Sequence, residues 1–254
     1  MIAAIVLAAV TAAASPAPAP ANTYKPLREV VYNVVANLQI NQTSESYGGY
    51  NSSDTPGISD TNAAAPSSTQ STGRTGVVTV DVMAVASDGT LGVQVTETWQ
   101  GLARPLVYDG AVAPDGTVEF PNSTINDATR ELLSYFGTKF APSDGLAQDT
   151  TWHTIQPFMN GNVETDYTVT AVNGGVVTIS KKQTIKDYDI FTSGTIQYEA
   201  TTLVPISGRI TKRMSSSLND TGTEFDASSS TSRDRTLTLR FDRVSDTHPA
   251  PTNQ

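Results

Sequence analysis

Leu27–Gln42 reads LREVVYNVVANLQINQ. Val30, Tyr32, Val34, Ala36, Leu38 and Ile40 share one parity, and Val31, Asn33, Val35, Asn37 and Gln39 share the other. Successive side chains of a strand point to opposite faces, so a period of two over this length predicts a long strand buried on one face. The same pattern recurs downstream. Val77–Val82 and Leu91–Trp99 flank Ser87-Asp88-Gly89, and Leu106–Tyr108 and Gly116–Phe120 flank Asp115-Gly116. Asp-Gly between alternating runs is a strong hairpin signal. Further strands are predicted at 151–158, 163–172, 176–186, 190–204, 208–218 and 235–244. Their turns are Asn160-Gly161, Asn173-Gly174-Gly175 and Ile206-Ser207-Gly208. Sequential strands joined by short polar turns indicate an antiparallel meander rather than βαβ units.

One convincing helix interrupts the strands. Asn126 or Asp127 can cap it, and ATRELLSYFGTKFAP (128–142) spaces Leu132, Leu133, Phe136 and Phe140 helically before Pro142. The expected fold is mainly β (α+β). It is a strongly curved antiparallel sheet or open barrel of about ten strands around one central helix. A helix of about four turns covers only part of such a sheet. The remaining concave surface is therefore expected either to pack on itself or to form a cleft.

The flanks are read from composition. Met1–Ala14 is a small-apolar run, MIAAIVLAAVTAAA, passing into the Pro/Ala spacer Ser15–Ala21. Some 14 apolar residues span about 21 Å as a helix, short of the roughly 30 Å hydrocarbon core, so 1–21 is expected to be a signal peptide and spacer rather than a membrane span. No Lys or Arg precedes Lys25, as expected if the true start lies upstream. The protein is thus expected to be exported, periplasmic or extracellular, and not membrane-spanning once the leader is removed. Residues 22–246 are read as a single β-rich domain. Within it, 44–73 is rich in Ser, Thr, Gly and Asn, lacks apolar periodicity, and is expected to be a disordered insertion. A second Ser/Asp-rich loop is expected at 219–232 and a flexible tail at 247–254.

Chemistry is sparse. The chain has no cysteine, so disulfides, thiolate metal sites and a Cys nucleophile are excluded. A net charge of −9 with no basic stripe argues against nucleic acid. Of two histidines, His248 lies in the tail and His153 at a strand start, so a multi-histidine metal site is impossible. No Gly-x-Ser-x-Gly elbow, dinucleotide or phosphate loop is present, and Asn219–Asp226 lacks the EF-hand order. Asp187 with Asp189, and Glu164 with Asp166, would each share a strand face. Lys181, Lys182 and Lys186 nearby make a solvated charged face the simpler reading. Tyr167, Tyr188, Tyr198 and Trp152 occupy strand positions where burial is the default. No catalytic residue, metal site or cofactor is expected.

One resemblance adds to this reading. Phe140-Ala-Pro-Ser-Asp-Gly-Leu-Ala-Gln-Asp149-Thr-Thr-Trp152 after the helix, then Tyr167 and the Leu203–Ile210 strand-turn-strand, resemble uncharacterised exported bacterial β-rich proteins. The layout is also similar to the half-barrel of periplasmic lipoprotein carriers and lipid-binding lipoproteins. That resemblance implies a curved sheet wrapped around an apolar cavity. The leading expectation is a non-enzymatic binding module holding a lipid or other apolar or amphiphilic ligand in the concavity. Trp99, Leu132, Leu133, Phe136, Phe140 and Trp152 are its candidate lining. The alternatives are an envelope or surface interaction protein acting through its Ser/Thr-rich loops, and a secreted hydrolase using a carboxylate pair.

Overall fold

The computed structural model describes residues 26–48, 67–121, 125–142, 145–158, 161–221 and 227–247. The expected leader (1–21), and residues 248–254 of the expected tail, lie outside these. Among these residues, eleven strands form one antiparallel sheet. They are β1 (Arg28–Gly48), β2 (Ser68–Val85), β3 (Leu91–Trp99), β4 (Leu106–Val112), β5 (Val118–Glu119), β6 (Thr151–Phe158), β7 (Gly161–Asn173), β8 (Val176–Ile185), β9 (Ile190–Glu199), β10 (Pro205–Thr221) and β11 (Ala227–Thr247). One helix, α1 (Asp127–Ser134), lies between β5 and β6, and a single 3-10 turn (Lys186–Tyr188) follows β8.

The strand order is β5-β4-β3-β2-β1-β11-β10-β9-β8-β7-β6. The sheet is not closed into a barrel: β5 and β6 stand at its two edges. The first and last strands pair at its centre, Val34 with Phe241 and Leu38 with Leu237. From β1 the chain winds outward to one edge. It then crosses to the opposite edge and winds back through β6–β11. The crossing is carried by residues 125–142 and 145–150, and the long-range contacts of its side chains fall on strand after strand. Phe136 meets Tyr32 of β1 edge-on at 6.0 Å, and Tyr135 stacks on Phe241 of β11 at 6.1 Å. Phe140 then stacks on Tyr167 of β7 at 5.4 Å and on Trp152 of β6 at 6.5 Å, and meets Tyr198 of β9 tilted at 5.4 Å.

The alternation read from the sequence is present. Val30, Tyr32, Val34 and Ala36 of β1 are buried, while Asn33, Val35 and Asn37 are exposed. The core joins this face to Val78, Val80, Val93, Val95, Val177, Ile179, Ile196, Ile210, Leu239 and Phe241, and to Leu132, Leu133 and Phe136 of the crossing. Both Asp-Gly turns hold β-hairpins. Gly89 and Gly116 have φ of 89° and 85°, and the Asp88 and Asp115 carboxylates accept from the backbone N–H two residues on.

Three expectations are corrected. The helix has eight residues, capped by Asn126, whose side chain accepts from the Ala128 N–H at 2.9 Å. It ends because the chain next docks on the β4–β5 turn. A Cβ on Gly137 would stand 2.5 Å from the Gly116 nitrogen and 2.8 Å from the Pro114 carbonyl oxygen, and the Lys139 N–H donates to that carbonyl. The expected disordered insertion at 44–73 is strand at both ends, 44–48 and 68–73, with Gln42 paired to Ser68 and Gly48 to Ala227. Likewise β10 and β11 run into the loop expected at 219–232, with Thr221 opposite Ser228. Ladder hydrogen bonds need no apolar face, so pairing propagates from the buried stem into Ser/Thr-rich sequence that hydropathy alone reads as unstructured. Residues 49–66 and 222–226 lie outside the described residues.

Candidate functional site

The sheet face under the crossing carries polar groups as well as apolar ones. Lys181 lies opposite Tyr167 on β7 and Gly194 on β9, and Gly194 lies opposite Ile210 on β10. One row further, Gln183, Thr192 and Lys212 lie opposite one another. Above these rows sit Glu131 and Tyr135, one on α1 and the other at its C-terminal cap. Glu131 is 7 % exposed, and its two carboxylate oxygens are both engaged. Lys212 Nζ donates to Oε2 at 2.9 Å and the Tyr135 hydroxyl donates to Oε1 at 2.5 Å. Lys181 Nζ sits 5.0 Å from the Tyr135 ring centroid. Among the described residues Lys181 makes no ion pair or hydrogen bond.

Charge and burial set the protonation states. Burial pushes the Glu131 carboxyl up, but Lys212, Lys181 and the Tyr135 hydroxyl outweigh it and hold it below the usual carboxylate range. Burial, reinforced by Glu131 beside it, raises the Tyr135 phenol well above its ordinary value, so it stays protonated and donates. Burial lowers the Lys181 ammonium; Lys212 acts in the same direction and Glu131 against it.

This cluster opens into a cleft of about 360 Å³ between the sheet and the crossing. Phe140, Val163, Tyr167 and Tyr198 form an apolar and aromatic wall, and Lys181, Lys212, Gln156 and Gln183 supply polar ends. Arg130 stands at the rim, exposed and donating to the Val118 carbonyl at 2.9 Å. Under the cleft, Thr192 is 1 % exposed and its hydroxyl has no hydrogen-bond partner among the described residues. Such a combination of hydrophobic wall and few convergent polar groups suits a small organic ligand.

The sequence-derived lining residues scatter around this cleft. Phe140 lines it. Trp152 is half-buried behind, stacked on Tyr167 at 5.0 Å and donating Nε1 to the Phe140 carbonyl at 2.6 Å. Leu132 and Leu133 have no exposed surface, and Phe136 is 4 % exposed in the core. Trp99 lies in the core beside β2, where its Nε1 donates at 2.8 Å to the buried Glu97. The cluster of Glu131, Tyr135, Lys181 and Lys212 was missed. Its signal was present in part: Val177, Ile179, Lys181, Gln183 and Ile185 share one parity, so period two turns Lys181 inward and only Lys182 outward. The solvated charged face therefore loses Lys181.

Other candidates resolve as surface chemistry. His153 Nδ1 lies 2.8 Å from Asp166 on the exposed face, and Glu164 pairs with Lys186 at 3.4 Å. Asp187 and Asp189 do not share a strand, because the 3-10 turn and a left-handed Asp189 (φ 48°) interrupt it. No group of three or more His, Asp or Glu among the described residues is placed to hold a metal ion. No helix among them is long and apolar enough to cross a membrane.

No protein-family model matches the chain, and no curated protein matches it. Among solved structures it aligns with the secretin InvG of the Salmonella SPI-1 type III secretion injectisome, at 9% identity and a TM-score of 0.17, over 91% of this chain and 67% of that one. The injectisome basal body proteins InvG, PrgH and PrgK align at 9% and 0.17, over 91% and 48%. The InvG secretin-domain β-barrel aligns at 9% and 0.15, over 91% and 65%. TM-scores this low do not establish a shared fold.

Proposed function

We propose that the protein is an exported, non-enzymatic binding module that holds an apolar or amphiphilic small molecule, working in the periplasm or outside the cell. The observation that carries this reading is the cleft beneath the crossing, where an aromatic wall ends in a lysine-rich floor. In this reading the sheet curves around the helix-bearing crossing, as in lipid-binding half-barrels, and the cleft is the part of the concavity that the crossing leaves unfilled. Support comes from the reach of that one segment, whose side chains meet β1, β11, β9, β7 and β6. The test is organic extraction of protein expressed with its leader, followed by mass spectrometry. A stoichiometric amphiphile supports the reading, and an empty extract from a protein that also takes up no added amphiphile overturns it.

A second reading, an envelope or surface interaction protein, draws on a different observation. The outer parts of β1, β2, β10 and β11 form a paired extension rich in Ser, Thr and Asn. Replacing exposed Thr69, Ser71, Arg233 and Asp234 with Ala, without loss of folding, would abolish partner capture if this extension is the contact surface.

A further inference from the structure

Apart from the exposed Asp115 and Arg130, the charged groups lining the cleft are two ammonium groups and one carboxylate. Lys212 is committed to Glu131 at 2.9 Å. Lys181 is not: it lines the cleft, lies over the Tyr135 ring, and has no carboxylate at ion-pair distance among the described residues. A half-buried ammonium with no carboxylate at ion-pair distance is costly to hold; Glu131 attracts it only from farther away, and the face of one aromatic ring compensates it only in part. Lys182, one residue on, is exposed and lies opposite Asp166, so the neighbouring lysine has a carboxylate across the strand pair and Lys181 has none. Gly194, beside Lys181, adds no side chain to the floor there. We infer that the ligand of this cleft carries a single negative charge, a carboxylate at the end of an apolar body, and that Lys181 is the residue that receives it. Tyr167, Phe140 and Tyr198 then face the apolar body, and Gln156 and Gln183 offer amide hydrogen bonds beside the head. The inference rests on the binding reading above and adds the class of ligand.

The size of the cleft selects the probe. At about 30 Å³ per water-sized atom, 360 Å³ holds about a dozen non-hydrogen atoms, the size of decanoate. Decanoate, 1-decanol and decyltrimethylammonium share the chain and differ in charge. Calorimetric titration of the purified full chain compares the three, on wild type, Lys181→Met, Lys181→Arg and Lys182→Met.

Expected is saturable one-to-one binding of decanoate, with decanol at least about ten-fold weaker, as the loss of one charge-assisted hydrogen bond implies, and no binding of the cation. Lys181→Met weakens decanoate by about ten-fold or more and leaves decanol unchanged. Lys181→Arg keeps most of the affinity, and Lys182→Met changes nothing. Equal affinity of wild type for decanoate and decanol, or an unchanged decanoate affinity in a folded Lys181→Met protein, overturns the anion assignment and leaves the apolar site standing. Failure of all three probes to bind overturns both. If Lys181→Met does not fold, the comparison of probes on wild type decides alone.

Discussion

Replacing Glu131 with Gln removes the carboxylate that Lys212 pairs with and that attracts Lys181 from beyond ion-pair distance. Two hydrogen bonds end on it, from Lys212 at 2.9 Å and Tyr135 at 2.5 Å. Hydrogen bonds to charged groups contribute about 1.5–3 kcal/mol each, and neutral ones about 1 kcal/mol. Gln keeps a neutral acceptor for Tyr135 but loses the attraction to both ammonium groups. Breaking a buried pair costs about 3–5 kcal/mol. The Lys212 side chain is 30% exposed and regains some water, which places the expected loss near the bottom of that range, at about 3 kcal/mol. In a domain of this size that lowers Tm by about 6–12 °C. The assay is urea unfolding at pH 7, where the midpoint should fall with the slope unchanged.

Lys181→Met should behave oppositely, because it removes an ammonium repelled by Lys212. Its stability should stay within about 1 kcal/mol of wild type or rise. In the double variant the Glu131→Gln penalty should shrink by at least about 1 kcal/mol, since the two sites are coupled. The sign with pH follows from the depressed Glu131 pKa. The stabilisation it contributes is present above its ordinary value of 4.5 and is lost as pH falls through its lower folded value. The gap between wild type and Glu131→Gln should therefore close in acid. A Glu131→Gln cost below about 1 kcal/mol, or a Lys181→Met cost as large as that of Glu131→Gln, would refute the charge assignment.

Three further outcomes follow from packing and pairing. Gly137→Ala places a methyl against the Gly116 and Pro114 backbone, which cannot yield, and should cost about 3 kcal/mol by thermal unfolding, whereas Gly73→Ala meets nothing within 4 Å and should stay within about 0.5 kcal/mol. Arg28→Met removes a two-pronged bond to Asp246 (2.9 and 2.7 Å) and one to Glu199 (3.0 Å). With Arg243 still on Asp246 at 2.6 Å, the loss should be about 2 kcal/mol by urea midpoint. In hydrogen exchange, amides of 30–36 in β1 should open only with global unfolding, while those of 41–44 exchange early because no buried side chain anchors them. Equal protection along β1 would contradict this.

Local pattern carried much of this protein. Period two in Leu27–Gln42 placed a strand and chose its face, because side-chain direction in a strand is set by the backbone alone; the same parity in Val176–Ile185 carries the inward turn of Lys181, which the cluster of lysines masked. The Asp-Gly turns at 88–89 and 115–116 and the Asn126 cap were legible for the same reason: each is decided within a few residues. The length of α1 was not, since it stops where Gly137 meets the β4–β5 turn, a contact across some twenty residues that helical periodicity cannot register. Nor was the Ser/Thr-rich extension, whose order is borrowed from ladders begun elsewhere.

The site separates the two kinds of information most sharply. Parity in β8 alone turns Lys181 inward. That its neighbours are Glu131 and Tyr135 from the crossing and Lys212 from β10 depends on strand order. That order puts the first strand beside the last and sends the crossing over the face. Strand order is decided by which long-range pairings bury the most apolar surface at once, a property of the whole chain that no window of sequence contains.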